Sequence, residues 1–321
     1  MARMARSRRI TRMALCNASV RILRLFAKWF ATCLLACIVA CVAMCFIACF
    51  VAPAARAQDR PLRTVDTETI PAGTLRTEIG FDFLQDTGFP LSGLRGDETS
   101  VGVMDLRMGV GKIVEVEVEG ALQNFLDVKS QGTSFVPNLS LTGVNSTHDT
   151  GDFTLATKVR LLKNAGRRPG IAFKFGFIMP NSNQARGIGT NTTNVFALLA
   201  LEEQIRKLQV FGNLGIEILQ APNALFTQND VLIYGGAFKY PILRRVNLVG
   251  EVNGLYSSRS INDALIGTQS SGQARVGLQI SAGGFTWDLA GVRGLNKYDP
   301  RSGFTFGVSR DFRLFDYNRV E

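Results

Sequence analysis

Thr74-Leu75-Arg76-Thr77-Glu78-Ile79-Gly80-Phe81-Asp82-Phe83-Leu84 decides the fold. Leu75, Thr77, Ile79, Phe81 and Phe83 take the odd positions, and Arg76, Glu78, Gly80, Asp82 and Leu84 the even ones. Side chains of a strand point alternately to its two faces, so this segment has one greasy face and one mostly charged face. One such strand fits any half-buried sheet. The pattern, however, recurs about twelve times along the chain. With connections that alternate short and long, it predicts an all-β fold: an antiparallel transmembrane β-barrel of about 12 strands, preceded by a signal peptide.

The further strands are expected at Ser100–Val110, Val114–Gln123, Asp152–Lys163, Ile171–Met179, Asn194–Leu201, Leu208–Leu219, Val231–Tyr240, Val246–Tyr256, Gly272–Ser281, Phe285–Arg293 and Gly303–Phe312. Asn194–Leu201 is the ambiguous one. It is apolar on both faces, and Glu202–Lys207 after it would suit a helix equally well. In the last strand Arg310 shares the outward parity of Phe304, Phe306, Val308 and Phe312, which is tolerable near a membrane interface where the side chain can snorkel. Connections after the even-numbered strands are short and those after the odd-numbered ones long, as in bacterial barrels with periplasmic turns and external loops. A soluble β-sandwich, the competing fold, has no reason to keep loop length in phase with strand parity.

Residues 1–57 carry nine basic residues and no acidic one, an apolar run over Trp29–Val51, and Ala55-Arg56-Ala57 before Gln58. That is the layout of a cleaved signal peptide. The alternatives are an uncleaved anchor, since the run is long enough to span a bilayer, and lipidation at Leu34-Leu35-Ala36-Cys37. Cleavage would leave 27 of the 36 basic residues against 26 acidic ones, so the net charge of +10 belongs to the leader and gives no support to nucleic-acid binding. All six cysteines also precede Gln58, which excludes disulfides, thiol nucleophiles and Cys metal sites from the mature chain. Residues 58–73 read as a polar, irregular periplasmic lead-in, 74–315 as the barrel and 316–321 as a C-terminal tail.

If the charged faces line a lumen, the candidate solute-path residues are Arg76, Glu78, Asp82, Asp105, Arg107, Glu115, Glu117, Glu119, Lys158, Arg160, Lys174, Glu217, Glu251, Arg275 and Asp288. The stripe Glu115, Glu117, Glu119 cannot sit unpaired in a dry interior. Lys158, Arg160 and Lys174 on the following strands could pair with it. The result is either a structural salt-bridge network or a constriction whose opposed charges orient a small solute. Twelve strands leave much less room than a sixteen-stranded porin. The loop Asn124–Gly151, rich in Ser, Thr, Asn and Gly, is expected to be solvated and mobile, with an inward-folded constriction as the alternative.

Three stretches, Gly151-Asp152-Phe153-Thr154-Leu155-Ala156-Thr157-Lys158-Val159-Arg160-Leu161-Leu162, Phe175-Gly176-Phe177-Ile178-Met179-Pro180 and Gly250-Glu251-Val252-Asn253-Gly254, resemble the outer-membrane proteins grouped under the MetA pathway of phenol degradation. The resemblance covers about Thr74 to Phe315. It implies passage of aromatic or other small solutes and carries over no catalytic residue. The chain departs from the usual barrel ending, a terminal aromatic, because Asp316–Glu321 follows Phe315; this moves the expected assembly signal inward.

An enzymatic reading has little to build on. The single histidine, His148, stands in Asn145-Ser146-Thr147-His148-Asp149 on the long loop, and the residue two positions later, where a barrel phospholipase has its nucleophilic Ser, is Thr150. No zinc spacing, calcium loop or nucleotide-binding turn is present, so no cofactor is expected. The expected partners are outer-membrane lipid, the barrel-assembly machinery and a small-molecule solute. A third possibility is a surface-interaction barrel with a plugged lumen.

Overall fold

The computed structural model describes residues 60–165, 168–261 and 269–315. The expected signal peptide, its cleavage site, the cysteines and the tail 316–321 lie outside these.

Thirteen strands form one sheet: β1 Thr74–Phe89, β2 Leu94–Gly109, β3 Val114–Gln131, β4 Ser146–Asp149, β5 Thr154–Leu162, β6 Gly170–Ile178, β7 Asn194–Ile205, β8 Leu208–Leu219, β9 Asn229–Leu243, β10 Val246–Tyr256, β11 Ser271–Ala282, β12 Phe285–Gly294 and β13 Ser302–Arg313. Their order is β2-β1-β13-β12-β11-β10-β9-β8-β7-β6-β5-β3-β4, and the additional β2–β3 pairing closes the ring. β4 adds only to the upper part of β3, through Asn124↔Asp149 to Asp127↔Ser146. The barrel wall therefore has the twelve antiparallel strands that the alternation predicts. Closure pairs each of these twelve strands on both sides, which a strand-built membrane protein requires.

The strand ambiguous in sequence, Asn194–Leu201, is β7, extended to Ile205; Glu202 and Glu203 continue the ladder with β8. One connection differs from expectation. Residues 85–99 were expected as a long loop, but β1 and β2 run on past Leu84 and Ser100 to pair Phe89 with Leu94, leaving four linking residues. Lower on β2, opposite Gly80 and Phe81, Gly102 at φ 64° forms a bulge. The extra residue swaps the faces of the strand above it, so Asp105 and Ser100 both point inward.

Alternation sorts the barrel surface as read from sequence. Ile79, Leu214, Val276 and Leu289 are each more than half exposed on the outside. Aromatic rings cross-pair there, with Trp287 6.2 Å from Phe306 and Phe83 5.7 Å from Phe304. Arg310 does point outward, its guanidinium 4.8 Å from the Phe285 ring and 5.3 Å from that of Phe312, both near strand ends. An apolar exterior around a charged interior inverts the soluble pattern and suits lipid. The protein is a transmembrane barrel of the Gram-negative outer-membrane type. β1 and β13 start and finish together (Thr74↔Arg313) at the end with the short turns, the periplasmic end in such barrels.

At the opposite end the long connections interlock. Ser92 Oγ donates to Gly187 O (2.6 Å), Ser140 N to Ala185 O (2.8 Å) and Asn223 Nδ2 to Phe135 O (3.0 Å). The segment Asn124–Gly151 is exposed along most of its length, as expected of a solvated loop, but it is partly strand (β3 and β4) and partly pinned to its neighbours.

Candidate functional site: a charged lumen holding the lead-in

The largest departure from expectation is the lead-in. It is irregular, but it does not lie in the periplasm. Residues 60–70 form an arch inside the barrel, rising from the short-turn end to mid-height and descending again. Arg60 stands low, with Nε 3.1 Å from Glu78 and its carbonyl accepting from Gln279 Nε2. At the apex, Arg63 N donates to Glu251 Oε1 (2.9 Å) and Oε2 (2.8 Å). Thr64 N and Oγ1 also donate to Oε2, each at 2.8 Å. Val65 exchanges two bonds with the Asn213 amide (2.6 and 2.9 Å). On the descent, Thr67 N and Oγ1 donate to Glu202 (3.1 and 2.8 Å) and Ile70 N to Glu115 (2.6 Å). An irregular segment inside a barrel has no ladder to satisfy its amides. Here the inward carboxylates and amides of the wall take that role.

The arch also supplies apolar cover. Leu62 packs with Phe211, Ala237 and Val249. Val65 lies against Ala172, Leu198, Ala200 and Phe196. This explains why β7 is apolar on both faces: Leu199 and Leu201 meet lipid, while Leu198 and Ala200 meet the arch.

All fifteen candidate residues can now be placed. Lys158 bridges Glu115 (2.9 Å) and Asp66 of the arch (2.7 Å), and Arg160 pairs with Glu68 (2.8 Å). Lys174 holds Glu117 (2.8 Å), and Arg107 contacts both Asp105 and, at 3.6 Å, Glu117. Arg275 holds Glu251 (2.7 Å). Arg76 pairs with Asp311 (2.7 Å) across β1 and β13. Asp82 accepts from Thr305 Oγ1 (2.6 Å) and faces Arg60 and Arg63 at 3.5 and 3.6 Å. Asp288 is buried with Oδ1 unpartnered among the described residues. Glu119 and Glu217 line the open part of the lumen. The low half of the set therefore forms a network that holds the arch, and the upper half lines a space.

That space is a cavity of about 650 Å³ above the arch, floored by Arg60–Val65. Its wall on β2 and β3 carries Glu98, Asp105, Glu117 and Glu119; β6, β7 and β9 contribute Ile178, Phe196, Leu198 and Ile233, with Lys174 on β6 and Glu217 on β8 among them. Ligand oxygens of Asp105, Glu117 and Glu119 lie within 4.8 Å of one another, close enough to share a cation, but Arg107 and Lys174 already neutralise part of the group.

The candidate set leaves out Arg60, Arg63, Asp66, Glu68, Glu202 and Glu98, and also Asn213 and Gln279, which the alternation places on the inward face of their strands. A signal was present. The inward apolar set Phe196, Leu198, Ala200 would be unfavourable beside a water-filled lumen, and so called for an apolar occupant such as Leu62 or Val65.

No family model and no curated protein matches the chain. Solved structures similar to it include the NanC porin (TM-score 0.43, 10% identity, covering 75% of this chain and 99% of that one). Others are the outer membrane channel DcaP of Acinetobacter baumannii (0.37, 10%, 77% and 100%) and the translocator domain of the autotransporter NalP from Neisseria meningitidis (0.40, 12%, 77% and 90%).

Proposed function

We propose that the protein is a non-enzymatic outer-membrane channel that admits small solutes from the long-loop end into the lumen cavity and is closed towards the short-turn end by its own N-terminal arch. The observation that carries this reading is the cavity of about 650 Å³ with the arch as its floor. Its size falls in the range of small-molecule sites, and its apolar wall would suit the aromatic solutes implied by the resemblance to the MetA-pathway group. The geometry around His148 supports the non-enzymatic part. His148 sits on β4 with its ring 5.9 Å from that of Phe125, while Asp149 accepts from Asn183 N (2.6 Å) and Thr150 N (2.9 Å) instead of orienting an imidazole.

A second reading, a permanently plugged barrel whose loops bind a partner, is favoured by the number of bonds that hold the arch. Single-channel conductance separates the two. Protein purified from the outer membrane is compared in a planar bilayer with a variant lacking residues 61–69. The channel reading expects brief openings from the whole protein and sustained, larger ones from the deletion. A silent whole protein beside a conducting deletion establishes the plug. A deletion variant that inserts and does not conduct overturns the lumen as a path.

A further inference from the structure

We infer that the cavity above the arch is a binding site for a small amphipathic organic cation, an amine with an apolar body. The inference rests on the cavity's being a solute site, and it names the class of solute. Among the described residues, eight carboxylates and five cationic side chains line the cavity. The cations are already engaged: Arg60 with Glu78, Lys174 with Glu117, Arg107 with Asp105, and Arg275 with Glu251. Arg63 is the loosest, 3.6 Å from Asp82. The surplus is acidic. Glu98 and Glu119 have no salt-bridge partner among the described residues. Asp105, only 8% exposed, keeps an oxygen, Oδ1, with no hydrogen-bond partner among the described residues.

Asp105 and Glu119 are directly paired across β2 and β3, and Glu98 stands higher on the same wall, towards the long-loop end. A buried carboxylate oxygen without a donor costs stability unless something supplies one. An ammonium supplies three donors and the missing charge. Anionic solutes would meet uncompensated like charge at the same wall. A bare metal ion would satisfy the carboxylates but leave most of the cavity empty, with Ile178, Phe196, Leu198 and Ile233 facing water. A ligand with a cationic head and an apolar body satisfies both walls at once.

Equilibrium binding tests the assignment and needs no flux, so its failure is distinct from failure of the channel reading. Benzylamine, benzyl alcohol and benzoate share one body and differ in charge. Titrated calorimetrically into the full-length protein purified in detergent, benzylamine is expected to bind about tenfold or more tightly than either of the others. Benzoate or benzyl alcohol binding as well as benzylamine overturns the proposal, as does absence of binding by all three. Calcium that binds tightly and displaces no benzylamine also overturns it, by placing the acidic wall elsewhere than in the amine site. In the variant Glu98→Gln/Glu119→Gln, benzylamine affinity should fall by about tenfold while benzyl alcohol binding is unchanged; equal affinity for benzylamine in variant and parent removes these carboxylates from the site. The comparison of the three ligands on the unmodified protein stands even if the double variant does not fold.

Discussion

At the scale of single residues, the lumen depends on a few carboxylates that each do two jobs. Glu251 accepts from the backbone of Arg63 and Thr64 and pairs with Arg275. Glu251→Ala removes the acceptor for those amides and strands a buried guanidinium, a loss of about 3–5 kcal/mol by the measure of broken buried pairs. The check is thermal unfolding in detergent together with amide exchange, which should accelerate first at Arg63 and Thr64; Glu251→Gln, which keeps an acceptor, should lose less. Lys158 bridges Asp66 and Glu115, so Lys158→Met leaves two carboxylates facing each other. The expected destabilisation should be partly reversed by adding Asp66→Asn, and a double-mutant cycle in the same unfolding assay reads that coupling. Glu115 was legible in sequence as a residue that needs a partner. That one partner would be Ile70 N was not, because the amide of an irregular segment carries no mark of where it will dock.

At the scale of elements, alternation of polarity reported faces faithfully and ends poorly. The faces of β1, β3, β6 and β12 follow their sequences residue by residue, since lipid and lumen impose opposite chemistries on the two sides of one strand. Strand length outside the membrane is under no such constraint. That is why β1 and β2 continue through a stretch that reads as a loop. The two-faced apolarity of β7 looked like a defect of the barrel pattern and turned out to record the arch packed on its inner side. Leu198→Asn should therefore loosen the arch without unmaking the barrel: faster exchange at the Val65 amide, with unchanged strand circular dichroism. On the lipid face, the Tyr234 hydroxyl covers both Gly254 and Gly272, lying 2.7 Å from where a Cβ would stand on each. Such rings fill the gap that glycines leave in neighbouring strands. Tyr234→Ala should cost about 1 kcal/mol, the scale of a cross-strand pair, in an unfolding titration.

At the scale of the whole molecule, the barrel and its arch form one unit in which the first part of the described chain sits inside the lumen made by the rest. The sequence carried the barrel, its strand number and its charged lumen, because these repeat. The arch occurs once and has no period, so only the inner face of β7 hinted at it. A reversible lock puts closure by the arch to the test. A Cβ at Gly235 would stand 3.0 Å from Thr64 Oγ1, within reach of a disulfide between the arch apex and β9. The measurement is single-channel conductance of Thr64→Cys/Gly235→Cys, oxidised and then reduced in the same bilayer. Silence is expected when oxidised, and the return of openings on reduction. Openings of the same size and frequency in both states would contradict it, since solute and ions would then be crossing the barrel by a route that the arch does not close.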